Sequence, residues 1–101
     1  MYNLLIVEDE TFARNHLEKY VRNNMSEYYS VCAVKDGKEA VLHIESNNVD
    51  VVVTDIRMPQ MTGIELAELI YKNHSDIIVM IISGYEEFEY AKSAIKYNVK
   101  E

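Results

Sequence analysis

The sequence predicts a doubly wound α/β fold built on a parallel sheet, and three features indicate it. Short apolar runs alternate with segments whose apolar residues recur at helical spacing, in the order βαβαβαβα. Three of the four predicted strands are apolar on both faces, which is typical of parallel strands covered by helices on both sides. Capping and turn residues stand at the junctions between segments. The 101 residues suffice for one domain, residues 1–101.

The first half of the chain contains two predicted strands and two predicted helices. Residues 4–7 form a continuous apolar run that stops at acidic residues, which predicts a buried strand, and Thr11–Asn24 has helical spacing. Residues 29–35 are mixed in character and predict a strand near the sheet edge. Asp36 and Glu39 stand at the spacing of a capping box, which predicts the start of the second helix. That helix is marked by Ala40, Val41 and Ile44.

The second half repeats this alternation. Residues 49–54 are rich in valine and predict a third strand. A loop bracketed by Pro59 and Gly63 follows, and the Thr62-x-x-Glu65 motif predicts the start of a third helix. Residues 77–82 predict a fourth strand, and residues 86–97 a fourth helix.

The composition excludes several classes of protein. Ten basic residues stand against 17 acidic ones, giving a net charge of −7, whereas nucleic-acid binding needs clustered Lys and Arg. A single cysteine, Cys32, excludes an internal disulfide framework, and we expect it to be a small buried hydrophobe. The longest apolar run, residues 77–82, is far shorter than the ~20 residues that span a bilayer. No basic region starts the chain, so we expect a cytoplasmic protein without membrane attachment.

Polar residues follow three of the predicted strands. Glu8 and Asp9 come after the first strand, Asp55 after the third, and Ser83 and Gly84 after the fourth. Ligands of such sheets bind at the carboxyl ends of the strands, so we expect the three carboxylates to converge within a few ångströms. Two like charges ~4 Å apart repel by roughly 4 kcal/mol at an effective dielectric near 20, which favours a bound cation. Oxygen ligands suit Mg²⁺ first, and a cation beside a carboxylate nucleophile is a layout for phosphoryl transfer.

Three motifs in this order resemble the receiver domain of bacterial two-component response regulators. They are LLIVED at residues 4–9, TDIRMPQMTGIEL at residues 54–66 and IISGY at residues 81–85. The resemblance covers nearly the whole chain. It implies a flavodoxin-like, CheY-like sheet with strand order 2-1-3-4, in which the fifth strand and fifth helix of the family are missing.

The resemblance also implies roles for the acidic residues. Asp55 would be the phosphoacceptor, and the protein would be a signalling switch rather than an enzyme. Asp9 and Asp55 would bind Mg²⁺ directly, together with the backbone carbonyl of Arg57, and Glu8 would act mainly through water.

The remaining implications concern the switch and the partners. Ser83 matches the switch hydroxyl that turns towards the phosphoryl group, and Gly84 matches the small residue that gives access to it. The phosphoryl donor would be a sensor histidine kinase. The sequence of residues 83–99 also resembles that of receiver domains joined to AraC-type DNA-binding domains. The resemblance implies that DNA is bound by an output domain that is absent from this chain.

The sequence also suggests association between copies. Residues 99–101 match only the start of the family's fifth strand, so we expect a receiver domain that is incomplete at its C-terminus. The fourth strand would then be an apolar sheet edge, which favours a strand-swapped dimer or edge association. Tyr90 and Tyr97 form a second ridge on the fourth helix, which is either a surface for a homodimer or a face packed against the missing portion.

Alternative interpretations remain open for single residues and for the whole chain. Asp9 alone could be a helix cap and Asp55 a turn residue, and Ser83 is placed to cap the fourth helix with Glu86. A dehalogenase-type phosphatase would need a second aspartate where Arg57 stands. A receiver-like module that is never phosphorylated is the other competitor. The three histidines are predicted to be surface or packing residues: His16, His43 and His74.

Overall fold

Five parallel strands and three helices make up the described part of the protein. The structure is a computed structural model that describes residues 1–82 and the backbone of residues 99–100. In chain order the elements are β1 Tyr2–Val7, α1 Thr11–Asn24, β2 Tyr29–Val34, α2 Gly37–Ser46, β3 Val51–Asp55, α3 Gly63–Asn73, β4 Ile78–Ile82 and β5 Val99–Lys100. The predicted order of strands and helices is confirmed up to β4, with differences of one or two residues at strand ends. The predicted fourth helix, with Tyr90 and Tyr97, lies outside the described residues.

The sheet order is β2-β1-β3-β4-β5, and all pairings are parallel. The order 2-1-3-4 expected from the resemblance is therefore confirmed. One correction applies to the fifth strand, which was expected to be missing: its first two residues pair with Val79 and Met80 of β4. Chain order reverses between β1 and β3, and this switch point is where doubly wound sheets bind ligands.

Helices cover the sheet on both faces. On one face, α2 and α3 pack over buried residues that include Leu5, Val52 and Val79. On the other face, α1 packs over Leu4 and Ile6. Because successive strand residues point to opposite faces, both faces of β1 are apolar, as the sequence pattern predicted.

The apolar surface of β4 is arranged differently from the expectation. Val79 and Ile81 are buried, but Ile78, Met80 and Ile82 are 41%, 38% and 46% exposed. These three residues lie on the α1 side of the sheet, opposite Val51, Val53 and Asp55 in the register. The exposed apolar surface is thus a face of β4, whereas the hydrogen-bonding edge is partly occupied by β5.

Two details of the caps and edges depart from the sequence prediction. Asp36 caps α2 by accepting from the Glu39 N–H, but the Glu39 carboxylate accepts from the N–H of Lys35 rather than from that of the cap residue. Cys32 is exposed, so its prediction as a buried hydrophobe was wrong. It lies on the edge strand β2, while α2 covers the inner strands on that face. Among the described helices, none is long and apolar enough to cross a membrane.

Candidate metal and phosphoacceptor site

Three carboxylates meet at the carboxyl ends of β1 and β3. Glu8 and Asp9 follow β1, and Asp55 is the last residue of β3, which pairs directly with β1. One oxygen from each carboxylate lies within 4.8 Å of the other two. The structure therefore brings together the three acidic residues that the sequence placed at this edge.

The connection from β1 to α1 is built by hydrogen bonds that leave the Asp9 side chain out of the helix cap. The Glu8 N–H donates to the Val34 carbonyl at 3.1 Å and so continues the sheet ladder by one residue. Glu10 caps α1, because its carboxylate accepts from the N–H groups of Phe12 and Ala13 at 3.2 and 2.7 Å. The capping role considered for Asp9 thus belongs to Glu10. Asp9 is exposed and points its carboxylate into the acidic cluster.

The loop after β3 is held close to the start of α3. The Ile56 N–H donates to Asp55 Oδ1 at 2.8 Å and orients this carboxylate. The buried Thr54 hydroxyl lies 2.9 Å from the Asp55 carbonyl oxygen. The Gly63 N–H donates to the Ile56 carbonyl at 2.8 Å.

Gly63 explains why the motif that follows Asp55 ends in glycine. A Cβ at this position would lie 2.1 Å from the Asp55 carbonyl oxygen and 3.0 Å from the Asp55 carbonyl carbon. Since both atoms belong to the backbone, no side-chain rotation could relieve the clash. Only glycine therefore allows α3 to begin this close to the end of β3. The same helix start carries the predicted capping box, in which Thr62 and Glu65 each accept from the other's N–H.

The electrostatics of the cluster bear mainly on Glu8, which is 8% exposed. Burial raises the pKa of the Glu8 carboxyl above its ordinary value of 4.5, and the neighbouring Asp55 and Asp9 carboxylates raise it further. The hydrogen bond from the Glu10 N–H opposes this rise. A cation in the cluster would favour the ionised form of Glu8.

Glu8→Gln is expected to stabilise the metal-free protein at neutral pH. Because the Glu8 pKa is higher in the folded state than in the unfolded state, ionising Glu8 destabilises the fold. The variant's gain in the free energy of unfolding should be absent below about pH 4.5. It should grow as the pH rises through the raised pKa of Glu8 and then level off. Urea unfolding in EDTA at several pH values measures it, with Glu45→Gln as the control for losing one surface charge. A stability difference independent of pH would contradict this account.

The donor set fits a hard divalent cation. It consists of carboxylate oxygens, and the acidic cluster found among the described residues contains no histidine or cysteine. Mg²⁺ prefers such oxygen ligands and is commonly bound by one or two carboxylates. Arg57 stands two residues after Asp55 in the β3–α3 loop, with an exposed side chain. Ser83 and Gly84 lie outside the described residues.

Two concavities lined by described residues lie away from this site. Two concavities of about 440 and 300 Å³ lie on either side of residues 47–49, before β3 begins. They are at the amino ends of the strands, on the opposite edge of the sheet from the acidic cluster. The candidate site is identified by its charge and by its place in the sheet topology.

Comparison with known proteins decides the family. The model of the response regulator receiver domain matches residues 4–101. The chain belongs to this family. Phosphorylation on an aspartate is general for receiver domains, as is Mg²⁺ binding in an acidic pocket. Receiver domains are in general signalling modules rather than enzymes.

Curated relatives of this receiver domain are longer proteins. It is 34% identical over 99 residues to the transcriptional regulatory protein HptR of Staphylococcus aureus, covering 98% of this chain and 38% of the relative. An uncharacterized response regulatory protein of Staphylococcus epidermidis is also 34% identical, with 98% and 39% covered. The chain thus spans less than two fifths of the length of these relatives.

Solved structures show the same fold. A DNA-binding response regulator of the LuxR family from Staphylococcus aureus superposes with a TM-score of 0.86 at 30% identity, over 98% of this chain and 82% of that one. The response regulator TrrA of Thermotoga maritima, crystallised in complex with Mg²⁺ and BeF, gives a TM-score of 0.84 at 28% identity, over 98% and 84%. The AraC-type relationship expected from the sequence is not decided by these relatives.

Arg14 is the site residue that sequence reasoning missed. Its guanidinium Nη1 lies 3.0 Å from the Glu8 carbonyl oxygen and 3.5 Å from that of Asp9. An arginine in the first part of an amphipathic helix carries no signal of such a contact. Only its occurrence five residues after Asp9, where a long side chain can reach back over the helix start, could have suggested it.

Proposed function

We propose that this receiver domain is a phosphorylation switch in which Asp55 accepts a phosphoryl group from a phosphohistidine of a sensor histidine kinase. The observation that carries the proposal is the meeting of the Glu8, Asp9 and Asp55 carboxylates within 4.8 Å at the switch point of a receiver-family sheet. A strand-end aspartate at this position has a nucleophilic oxygen beside groups that suit a divalent cation.

The transfer needs no other covalent catalyst. A carboxylate oxygen of Asp55 attacks the phosphorus in line, an O–P bond forms, and the P–N bond to the imidazole breaks. The imidazole keeps the electron pair and is protonated by solvent. Asp55 Oδ1 is oriented by the Ile56 N–H, which limits rotation of the attacking carboxylate.

The proposed ligand set for Mg²⁺ is Asp9, Asp55 and the Arg57 backbone carbonyl, with Glu8 acting mainly through water. When bound, the cation would neutralise charge on the phosphoryl oxygens. Asp9 supports a direct role, because it is exposed within the cluster and Glu10 fulfils the cap of α1. Glu8 supports an indirect role, since one of its oxygens accepts from the Glu10 N–H.

The proposed output is a change in transcription. By the resemblance of the sequence, the Ser83 hydroxyl would turn towards the new phosphoryl group, and Gly84 would leave room for it. By analogy with other phosphorylated residues, this group carries about −1.5 to −2 charges at pH 7. The transcriptional regulatory relative and the DNA-binding response regulator of the LuxR family support an output through a DNA-binding domain, which we propose to be of the AraC type. As is general for response regulators, the proposed location is the cytoplasm, and the proposed partner besides the kinase is a second copy of the chain.

Intact-mass spectrometry with a small-molecule phosphodonor tests the proposal. With Mg²⁺ we expect the gain of one phosphoryl group that is labile to hydroxylamine, as an acyl phosphate is, and no gain in EDTA. Sustained release of inorganic phosphate at many turnovers would instead indicate a phosphatase of the dehalogenase type. Absence of any phosphoryl gain would favour a receiver-like module that is never phosphorylated.

Asp9→Asn is expected to weaken Mg²⁺ binding by about 10-fold or more, since affinity in such sites follows the charge of the ligands. A titration with MgCl₂, followed by the amide signals of residues 8–10 in NMR, measures the dissociation constant. Glu10→Gln is the matched control, because it removes the same charge one residue away while its amide oxygen can still accept one of the two N–H groups that Glu10 caps. Equal weakening by both variants would show that Asp9 acts through its charge alone and is no ligand.

A further inference from the structure

The carbonyl groups of Glu8 and Asp9 stand where the chain has left the β1 ladder and has not yet entered α1. The first helical carbonyl is that of Glu10, which accepts from the Arg14 N–H at 2.9 Å. Backbone carbonyls at such a junction need partners from elsewhere in the protein. The Arg14 side chain supplies one, with Nη1 at 3.0 Å from the Glu8 carbonyl oxygen and 3.5 Å from that of Asp9.

We propose that Arg14 is a positioning residue for the cation site: its guanidinium holds the backbone of Glu8 and Asp9 so that both carboxylates face Asp55. The inference rests on the proposed function and adds a residue to it. Arg14 contacts the main chain of the two acidic residues, so it can set their position without occupying the space between the carboxylates.

The location of Arg14 supports a specific role. A cation in the first turn of a helix is disfavoured by the helix dipole, and Arg14 is the fourth residue of α1. Its contacts with two carbonyl oxygens offset this effect. Arg14 is also half-buried, whereas Arg22 in the last turn of α1 is exposed, pairs with Glu18 at 2.9 Å and reaches the Val31 carbonyl oxygen at 3.4 Å. The contacts of Arg22 are with residues outside the acidic cluster, whereas those of Arg14 are with the main chain of two of its members.

A positioning role and Coulomb attraction alone predict opposite changes in Mg²⁺ affinity when Arg14 is replaced by methionine. Arg14→Met removes one positive charge near a cation site, and Coulomb attraction alone would then tighten Mg²⁺ binding. If Arg14 positions the two acidic residues, binding should weaken instead, because the carboxylates lose their alignment. Groups that orient metal ligands from the outside typically contribute about 10-fold to 100-fold in affinity.

The test is an NMR titration with MgCl₂ on the full chain, with Arg22→Met as the matched control. We expect Arg14→Met to raise the dissociation constant about 10-fold, and Arg22→Met, with the same change of residue and charge on the same helix, to leave it within about twofold. Metal-free spectra and urea unfolding in EDTA establish that each variant is folded. Unchanged or tighter binding in Arg14→Met would overturn the proposal.

Arg14→Lys keeps the inference testable if the methionine variant does not fold. Lysine keeps the charge, but its Nζ is one bond closer to the main chain than the Arg14 Nη1 that contacts both carbonyl oxygens. Mg²⁺ binding should therefore still weaken in Arg14→Lys, while Arg22→Lys should have no effect. Parental affinity in Arg14→Lys would then overturn the proposal. If the parent chain itself bound no Mg²⁺, the proposed function would fail. If the parent bound it and the Arg14 variants matched the parent, only this inference would fail.

Discussion

Asp55→Asn is expected to abolish phosphoryl uptake from a small-molecule donor while leaving the fold intact. Asparagine has nearly the same shape as aspartate, and its amide oxygen can still accept the Ile56 N–H that now binds Asp55 Oδ1 at 2.8 Å. The amide has no anionic oxygen to attack phosphorus, so the acceptor chemistry is lost. Intact-mass spectrometry after incubation with donor and Mg²⁺ measures the effect directly.

Asp50→Asn provides the matched control for this loss. Asp50 stands just before β3, at the opposite end of the strand from Asp55, and its carboxylate accepts from the Asn3 N–H at 2.7 Å. An asparagine oxygen can keep that contact, so phosphoryl uptake should equal that of the parent. If Asp55→Asn still gained one phosphoryl group, another residue would be the acceptor and the account would be wrong.

Gly63→Ala is expected to lower the free energy of unfolding by about 3 kcal/mol, or to prevent folding, which is the upper range for forcing an atom into a packed interior. The added Cβ would lie 2.1 Å from the Asp55 carbonyl oxygen, so either α3 or the end of β3 must move. Since Asp55 is the last residue of β3, a movement of the strand end would also shift the proposed phosphoacceptor. Urea unfolding measures the loss of stability, and phosphoryl uptake by the folded fraction measures the shift.

Gly37→Ala separates this clash from a general effect of replacing glycine. Gly37 is the first residue of α2, and the three atoms nearest to a Cβ there all belong to the Met61 side chain, with its sulfur at 2.7 Å. Because that side chain is flexible, we expect a change of about 1 kcal/mol or less. Equal destabilisation by the two substitutions would contradict the assignment of Gly63 to a backbone clash.

The sequence was sufficient to predict that the Glu8, Asp9 and Asp55 carboxylates meet, because the sheet topology brings them together. Parallel strands end at one edge, so acidic residues after the first and third apolar runs had to be neighbours once those strands paired. Capping residues could be located in the same way, since Thr62 and Glu65 act within one helix turn. Which of Asp9 and Glu10 caps α1 could not be predicted, because both are acidic and the start of a helix is uncertain by a residue or more.

The features that sequence reasoning missed depend on tertiary distances. Arg14 has an ordinary helical position, and its contact with the Glu8 carbonyl exists only because α1 turns back over the end of β1. The exposure of Cys32 follows from which strands α2 covers, which the residue type does not reveal. The exposed face of β4 likewise follows from where α1 lies on the sheet.

The most direct test of the acidic cluster is a crystal structure with Mn²⁺ in place of Mg²⁺, with the ion located by its anomalous scattering. The account predicts one ion at the carboxyl ends of β1 and β3, within bonding distance of oxygens from both Asp9 and Asp55. An ion bound to only one of these two carboxylates, or no ion between the two strand ends at saturating Mn²⁺, would contradict it.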